Sequence, residues 1–143
     1  MINSKKVYNL YLAKDKENGT FQKSFLAYLL NDTWKFLRRL RLLEYVTNTK
    51  TGVLWSSFGY LVKLLFKSNS KKLGFSIPPN VFGPGLSLPH YGNIIINRRV
   101  RIGANAVVNK SCLIENATLL GVPAKVYPPK TDREVLNKGP KAS

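Results

Sequence analysis

The chain of 143 residues has one cysteine, Cys112, and one histidine, His90. A single cysteine excludes an intramolecular disulfide and any metal site made from several cysteines. A single histidine argues against a metal centre made from clustered imidazoles. We therefore predict no metal, and we interpret Cys112 as a small packing residue because no base lies near it in the sequence.

Acidic residues are also scarce, with 7 Asp and Glu against 23 Lys and Arg and a formal net charge of +16. Such a balance predicts an anionic partner, which could be nucleic acid, an acidic membrane surface or a polyphosphorylated cofactor. No nucleic-acid-binding motif accompanies the charge, so we expect no nucleic-acid partner. A weak contact with a membrane surface stays open.

No apolar run is long enough for a transmembrane helix, which needs about 20 residues. The longest, 53–66, is interrupted by serine, glycine and lysine residues. The first twenty residues contain lysines but no continuous apolar stretch followed by a small-residue cleavage site, so they do not resemble a signal peptide. A cytoplasmic location is the expectation that follows.

Two different periodicities divide the chain near residue 76. Apolar residues recur at three- and four-residue steps over 24–45, which predicts one broken helix or two helices with a cap at Asp32 or Thr33. A further amphipathic helix is predicted over 53–66, ended by the polar cluster 67–72. We therefore assign 1–76 to an N-terminal helical region and 128–143 to a C-terminal tail.

From 77 to 127 a branched apolar residue recurs every six positions. This spacing fits neither a 3.6-residue helix nor a two-residue strand alternation, and it predicts a β-helix of about three coils with 18 residues in each coil. The mainly β interpretation of the chain depends on this repeat. The residues that define it are Ile96, Ile102, Val108, Ile114, Leu120 and Val126.

Two segments of this region resemble the hexapeptide-repeat acyltransferases, in particular serine O-acetyltransferases and related acetyltransferases of surface-polysaccharide clusters. They are 72–97, KLGFSIPPNVFGPGLSLPHYGNIIIN, and 102–126, IGANAVVNKSCLIENATLLGVPAKV. The resemblance extends over about 24–127 and implies a left-handed parallel β-helix, a homotrimer and acetyl-coenzyme A as acyl donor. Several coils that family members carry are missing here, and with them the second active-site histidine of the family.

The resemblance implies a role for particular residues. His90, which follows the GPGL turn, matches the catalytic histidine, a general base that takes the proton of an acceptor hydroxyl as it attacks the thioester carbonyl. Gly103, Ala104, Gly121 and Lys125 match cofactor-binding positions of the family, where small residues let the cofactor approach the backbone and a lysine meets phosphate.

The carboxylate that orients the catalytic histidine in serine acetyltransferases has no counterpart here. No Asp or Glu occurs between Glu44 and Glu115, and Ser76 lies near the expected position. Glu44, Asp32 or a backbone carbonyl could replace it only if the fold brings one of them to the imidazole.

The resulting hypothesis is an acetyl-coenzyme A dependent O-acetyltransferase with a small hydroxyl acceptor. L-serine, as in cysteine biosynthesis, is the first acceptor considered, and a sugar of a surface polysaccharide is the alternative. A degenerate, non-catalytic β-helix scaffold is the alternative from a different functional class.

Overall fold

The computed structural model describes residues 1–19, 31–49, 52–108, 112–114, 118–120 and 125–127. Within these residues, three α-helices come first and six short β-strands follow. The helices are α1 (Lys5–Asn18), α2 (Asp32–Thr49) and α3 (Val53–Leu73), and the strands are β1 (Phe75–Ser76), β2 (Ile94–Ile96), β3 (Arg101–Ile102), β4 (Cys112–Ile114), β5 (Thr118–Leu120) and β6 (Lys125–Tyr127).

Helix α1 is an element that the sequence analysis missed. The Ser4 hydroxyl accepts a hydrogen bond from the Val7 amide and caps its first turn. Along the helix only Tyr11 and Asp15 are buried. Because one of these two residues is charged, the sequence lacks the apolar stripe by which an amphipathic helix is recognised.

Helix α2 begins at Asp32, within the stretch where a cap was expected, although the capping side chain is that of Asn31. The Asn31 Oδ1 accepts a hydrogen bond of 2.9 Å from the Trp34 amide. Helix α2 buries an apolar face formed by Trp34, Phe36, Leu37, Leu40, Leu43 and Val46.

Helix α3 starts at Val53 as predicted but continues to Leu73, past the polar cluster that was expected to end it. The buried stripe explains the extra length, because Val62, Phe66, Asn69 and Leu73 follow one another at helical spacing. The polar residues between them lie on the outer faces and do not interrupt this stripe. Gly74, with φ of 74°, ends the helix.

The strands form two small sheets. In the first, β1 pairs with β2 and β2 with β4, all in parallel, so that Phe75 lies opposite Ile94 and Ile94 opposite Cys112. In the second, β3 pairs in parallel with β5, whereas β5 and β6 are antiparallel. Isolated parallel bridges join Phe82 to Ile102 and Ser87 to Val107.

The prediction of a mainly β chain folded as a left-handed parallel β-helix is wrong. The described helices have 14, 18 and 21 residues, whereas each described strand has only two or three. In addition, β6 turns back on β5 instead of continuing the parallel pairing. The six-residue repeat marks where branched side chains are buried, as at Ile96, Ile102 and Val108, but burial at a fixed spacing does not make the surrounding backbone extended.

One hydrophobic cluster joins the helices to the strand region. The ring of Phe36 on α2 lies 5.2 Å from that of Phe66 on α3 and 5.1 Å from that of Phe75 on β1. The same cluster continues through Leu86, Leu88 and the buried residues of β2. Across the described residues, no helix has the length and apolar character needed to cross a membrane.

Candidate functional site

His90 lines a cavity of about 310 Å³ between the end of the GPGL segment and the start of α2. The imidazole is exposed, and so is the neighbouring ring of Tyr91. The described lining contains both polar and apolar residues and consists of Gly19, Asn31, Thr33, Ser87, Leu88, Pro89, His90 and Tyr91.

Backbone hydrogen bonds hold the chain on both sides of His90. On one side the Ser87 amide donates to the Ala106 carbonyl at 2.9 Å, and the Ser87 carbonyl accepts from the Val108 amide at 3.0 Å. On the other side the Ile94 amide donates to the Gly74 carbonyl at 3.1 Å. The stretch 88–93 is therefore fixed at both ends, while the side chains of His90 and Tyr91 within it remain accessible.

No carboxylate among the described residues bonds to His90. The Glu44 carboxylate bonds to Arg41 and to the Asn80 amide. The Asp32 carboxylate accepts a bond of 2.7 Å from the Lys72 ammonium. Neither of the two acidic residues considered as substitutes thus orients the imidazole, because each has other partners.

Asp32 lies between two lining residues in the sequence, Asn31 and Thr33, but is not itself among the described lining residues. The bond from Lys72 lowers the pKa of this carboxyl below its usual range, and Lys35 at 3.6 Å adds to the effect. The lowered pKa keeps the Asp32 carboxylate ionised beside Lys72, so it is a poor candidate for a proton acceptor.

Two of the positions matched to cofactor binding, Gly103 and Ala104, lie beside the GPGL segment and not on the described wall of this cavity. Gly103 and Ala104 run beside Gly83, so closely that a methyl group on Gly83 would come within 2.9 Å of the Ala104 nitrogen. Neither belongs to the described lining of the cavity. Lys125 lies on β6 with its backbone opposite Leu120, and Gly121 lies outside the described residues.

A buried ionic cluster lies behind the GPGL segment, and the sequence analysis missed it. The Arg41 guanidinium, with no exposed surface, donates to Asp15 through Nε at 2.7 Å and through Nη2 at 3.2 Å. It also donates to Glu44 at 3.0 Å and lies 4.8 Å from the centre of the Tyr11 ring. Burial would lower the pKa of Arg41, but the two carboxylates raise it, so the guanidinium stays charged.

The cluster attaches the GPGL segment to the helices. The Asp15 Oδ1 accepts hydrogen bonds of 2.8 Å from the amides of both Gly85 and Leu86. Arg41 donates to the Gly83 carbonyl at 2.8 Å. Charged groups from α1 and α2 therefore satisfy the backbone of the segment that leads to His90.

A signal for this cluster was present in the sequence. Arg41 and Glu44 occupy helical positions that follow Leu37 on the same face, where an amphipathic helix ordinarily continues with apolar residues. A cation and a carboxylate three residues apart on an otherwise apolar face indicate a buried ion pair. Asp15, in contrast, lies on a helix without an apolar stripe and gave no such signal.

The part of the chain that is described shows no group of three histidine, cysteine, aspartate or glutamate side chains placed to hold a metal ion. Comparison of the sequence with protein-family models, with curated proteins and with solved structures finds no match.

Proposed function

We propose that this chain is an acetyl-coenzyme A dependent O-acetyltransferase acting on a small hydroxyl acceptor. The observation that carries the proposal is the position of His90, an accessible imidazole on the wall of a cavity of about 310 Å³. The resemblance of 72–97 and 102–126 to hexapeptide-repeat acyltransferases supports the assignment, and the proposal does not require a β-helix.

In the proposed reaction, His90 acts as a general base. An imidazole nitrogen takes the proton of the acceptor hydroxyl while the hydroxyl oxygen attacks the acetyl carbonyl. The carbon–sulfur bond of the thioester then breaks, and the imidazolium returns the proton to the departing coenzyme A thiolate. The products are an O-acetyl ester and free coenzyme A, and His90 ends in its starting form.

The described lining favours a sugar acceptor over free serine. A free amino acid brings an ammonium group that needs an anionic partner when it leaves water. The described lining residues include no carboxylate. They do include Tyr91, whose ring combines an apolar face with a polar end and suits a sugar ring, and the side chains of Asn31 and Thr33, which can bond to sugar hydroxyls.

The proposal also includes the homotrimer and the cytoplasmic location expected from the sequence. Gly103 and Ala104 do not line the cavity of their own chain. A neighbouring subunit would then have to supply the donor-binding wall, as the resemblance implies. Exposed arginines near these residues, Arg98, Arg99 and Arg101, provide cations for the phosphates of the donor.

The test is the release of free thiol from acetyl-coenzyme A by the purified chain, with neutral sugars and L-serine as separate acceptors. Loss of a general base lowers such a rate by about 10² to 10⁴, so His90→Ala is expected to abolish acceptor-dependent release. Tyr91→Ala is expected to weaken sugar dependence, and Tyr60→Ala is the matched control because it removes an exposed tyrosine on α3, away from the cavity.

A non-catalytic scaffold is the second candidate, favoured by the lack of any described carboxylate bonded to His90. It predicts no acceptor-dependent thiol release from a folded chain. It also predicts that binding of acetyl-coenzyme A, measured by calorimetry, is either absent or unaffected by His90→Ala. Release that disappears in His90→Ala and persists in Tyr60→Ala would reject this candidate.

A further inference from the structure

Helix α3 carries an exposed apolar stripe beside the face that packs against the protein core. Leu54, Phe58, Leu61 and Leu65 are 85%, 41%, 53% and 43% exposed. Their spacing of four, three and four residues places them along one side of the helix. We call these four residues the α3 stripe.

The α3 stripe is separate from the residues of α3 that pack in the core. The core side of α3 is formed by other residues, Val62, Phe66 and Leu73, all less than 9% exposed. The helix therefore has two apolar faces, one packed against α2 and one in solvent. Exposed apolar patches of this kind on a folded domain commonly mark a site of interaction.

The N-terminal end of the stripe adds aromatic surface. Leu54, Trp55 and Phe58 line an open hollow of about 410 Å³, and the Trp55 and Phe58 rings meet edge to face with centroids 6.0 Å apart. Tyr60, 64% exposed, lies two residues after Phe58 and therefore on a different side of α3. Aromatic rings with a polar end are favoured at the boundary between lipid headgroups and acyl chains.

Helix α3 also carries exposed lysines. Lys63, Lys67 and Lys71 are exposed on α3 at four-residue steps, which places them on one side of the helix, and α3 contains no acidic residue. Lys72, on the other hand, is engaged with Asp32 at 2.7 Å. The lysines lie on the side of α3 roughly opposite the stripe, so the helix has a leucine face and a lysine face, and it carries no carboxylate.

From these observations we propose that α3 docks on the surface of an anionic lipid bilayer, with the α3 stripe in the headgroup and acyl boundary. A helix with leucine and aromatic residues on one face and lysines on another lies in this interface. Its binding strength depends on the apolar area inserted and on attraction to anionic lipid.

Charge favours an anionic bilayer over a second copy of the chain as the surface that covers the α3 stripe. Helix α3 carries lysines and no acidic residue, so two copies that meet along α3 bring like charges together, whereas an anionic bilayer attracts the lysines. The stripe is also short for a coiled-coil seam, which needs about three to four heptads. The next seam positions after Leu65 are Ser68 and Lys72, which are polar.

The experiment is flotation of the purified chain with vesicles of phosphatidylcholine alone and with vesicles of equal phosphatidylcholine and phosphatidylglycerol. We expect binding to the anionic vesicles and little binding to the neutral ones. The double substitution Leu61→Ser with Leu65→Ser is expected to weaken binding by about tenfold or more, because it removes two inserted leucine side chains.

Two further variants separate apolar insertion from charge. Leu10→Ser is the control for the single substitution Leu61→Ser, because Leu10 on α1 is exposed to a similar extent, 51% against 53%. It should leave binding unchanged. Replacing Lys63 and Lys67 by glutamate should lower binding to anionic vesicles by about fivefold or more per residue, while circular dichroism shows unchanged helix content.

Three results would overturn the proposal. The first is an absence of binding to anionic vesicles. The second is binding that falls with added salt but is the same for the stripe variants, which would assign the contact to charge alone. The third is an oligomer in solution, detected by sedimentation without lipid, that the stripe variants dissociate, because the stripe would then be covered by a second copy.

Discussion

The segment 80–91, which contains the GPGL turn, has two halves that differ in how they are attached to the helices. Residues 80–86 are attached to α1 and α2 by the buried cluster of Arg41, Asp15 and Glu44, with amides and carbonyls bonded to charged side chains. Residues 87–91 end in His90 and Tyr91, which are exposed on a cavity wall. Only a few residues separate this bonded stretch of backbone from the exposed imidazole of His90.

The difference shows how a small protein can present an exposed side chain at a defined position. An exposed loop loses conformational entropy when it is ordered, and contacts elsewhere must offset that loss. Here the ordering contacts lie before His90, in the ionic cluster, and after it, where β2 pairs with β1. The following substitutions test this division, from the largest expected effect on stability to the smallest.

Arg41→Met is expected to have the largest effect. It leaves the carboxylates of Asp15 and Glu44 buried without their cation, and breaking a buried ion pair in this way costs about 3–5 kcal/mol. Urea denaturation of the variant and of the native chain measures the difference in the free energy of unfolding. A loss below about 1 kcal/mol would mean that the cluster does not anchor residues 80–86.

Gly83→Ala is expected to have the next largest effect. The added methyl group would come within 2.9 Å of the Ala104 nitrogen and of the Gly103 carbonyl carbon. Since both are backbone atoms, the two chain segments must separate, at a cost of about 1–3 kcal/mol. Gly59→Ala is the control, because its methyl group meets only the side chain of Val46, at 3.3 Å, and no backbone atom, and its cost should be smaller.

Lys72→Ala should have a small effect that depends on pH. The pKa of Asp32 is lowered in the folded chain chiefly by its bond with Lys72. The resulting stabilisation is therefore present above the usual pKa of an aspartate and disappears as the pH falls through the lowered value. For an exposed pair we expect about 0.5 kcal/mol near neutral pH, and denaturation curves of variant and native chain should converge in acid.

His90→Ala should change stability least. The imidazole is exposed and makes no hydrogen bond or ion pair among the described residues, so the free energy of unfolding should change by less than about 0.5 kcal/mol. The same variant is the one expected to lose acetyl transfer. A large loss of stability would show that residues 87–91 are held through His90 and would remove the contrast between the two halves.

The helical region was predicted in part from the sequence. The three- and four-residue spacing of apolar residues located α2 and the start of α3, because that spacing follows from helix geometry wherever one face is buried. Helix α1 was missed since its buried residues are Tyr11 and Asp15, and a buried aspartate has no periodic signature. The end of α3 was misplaced because polar residues on an outer face do not stop a helix.

The fold class was predicted incorrectly for a related reason. The six-residue repeat correctly marked Ile96, Ile102 and Val108 as buried positions, but the extent of extended backbone depends on which segments pair. Among the described strands that pairing is limited to two or three residues at a time.

The candidate site was predicted from the sequence in one respect only. His90 was singled out as the sole imidazole and as the residue after a recognisable turn. Its neighbours in the cavity, such as Gly19 and Thr33, could not be foreseen, because they come from other elements far away in the chain. The sequence allowed Glu44 or Asp32 to orient the imidazole only if the fold brought one of them close, and the structure instead bonds Glu44 to Arg41 and Asp32 to Lys72.

Composition was sufficient for the net charge of +16 and for the choice of His90 as the single histidine. Local pattern was sufficient for the amphipathic character of α2 and α3, since helical spacing involves residues close together in the chain. Tertiary structure alone decided which charges are buried together, which face of α3 is left in solvent and what surrounds the imidazole. Those outcomes depend on contacts between residues that are distant in sequence, as between Asp15 and Leu86. Such contacts form when the core packs and excludes water, because a buried polar group without a hydrogen-bond partner is costly there.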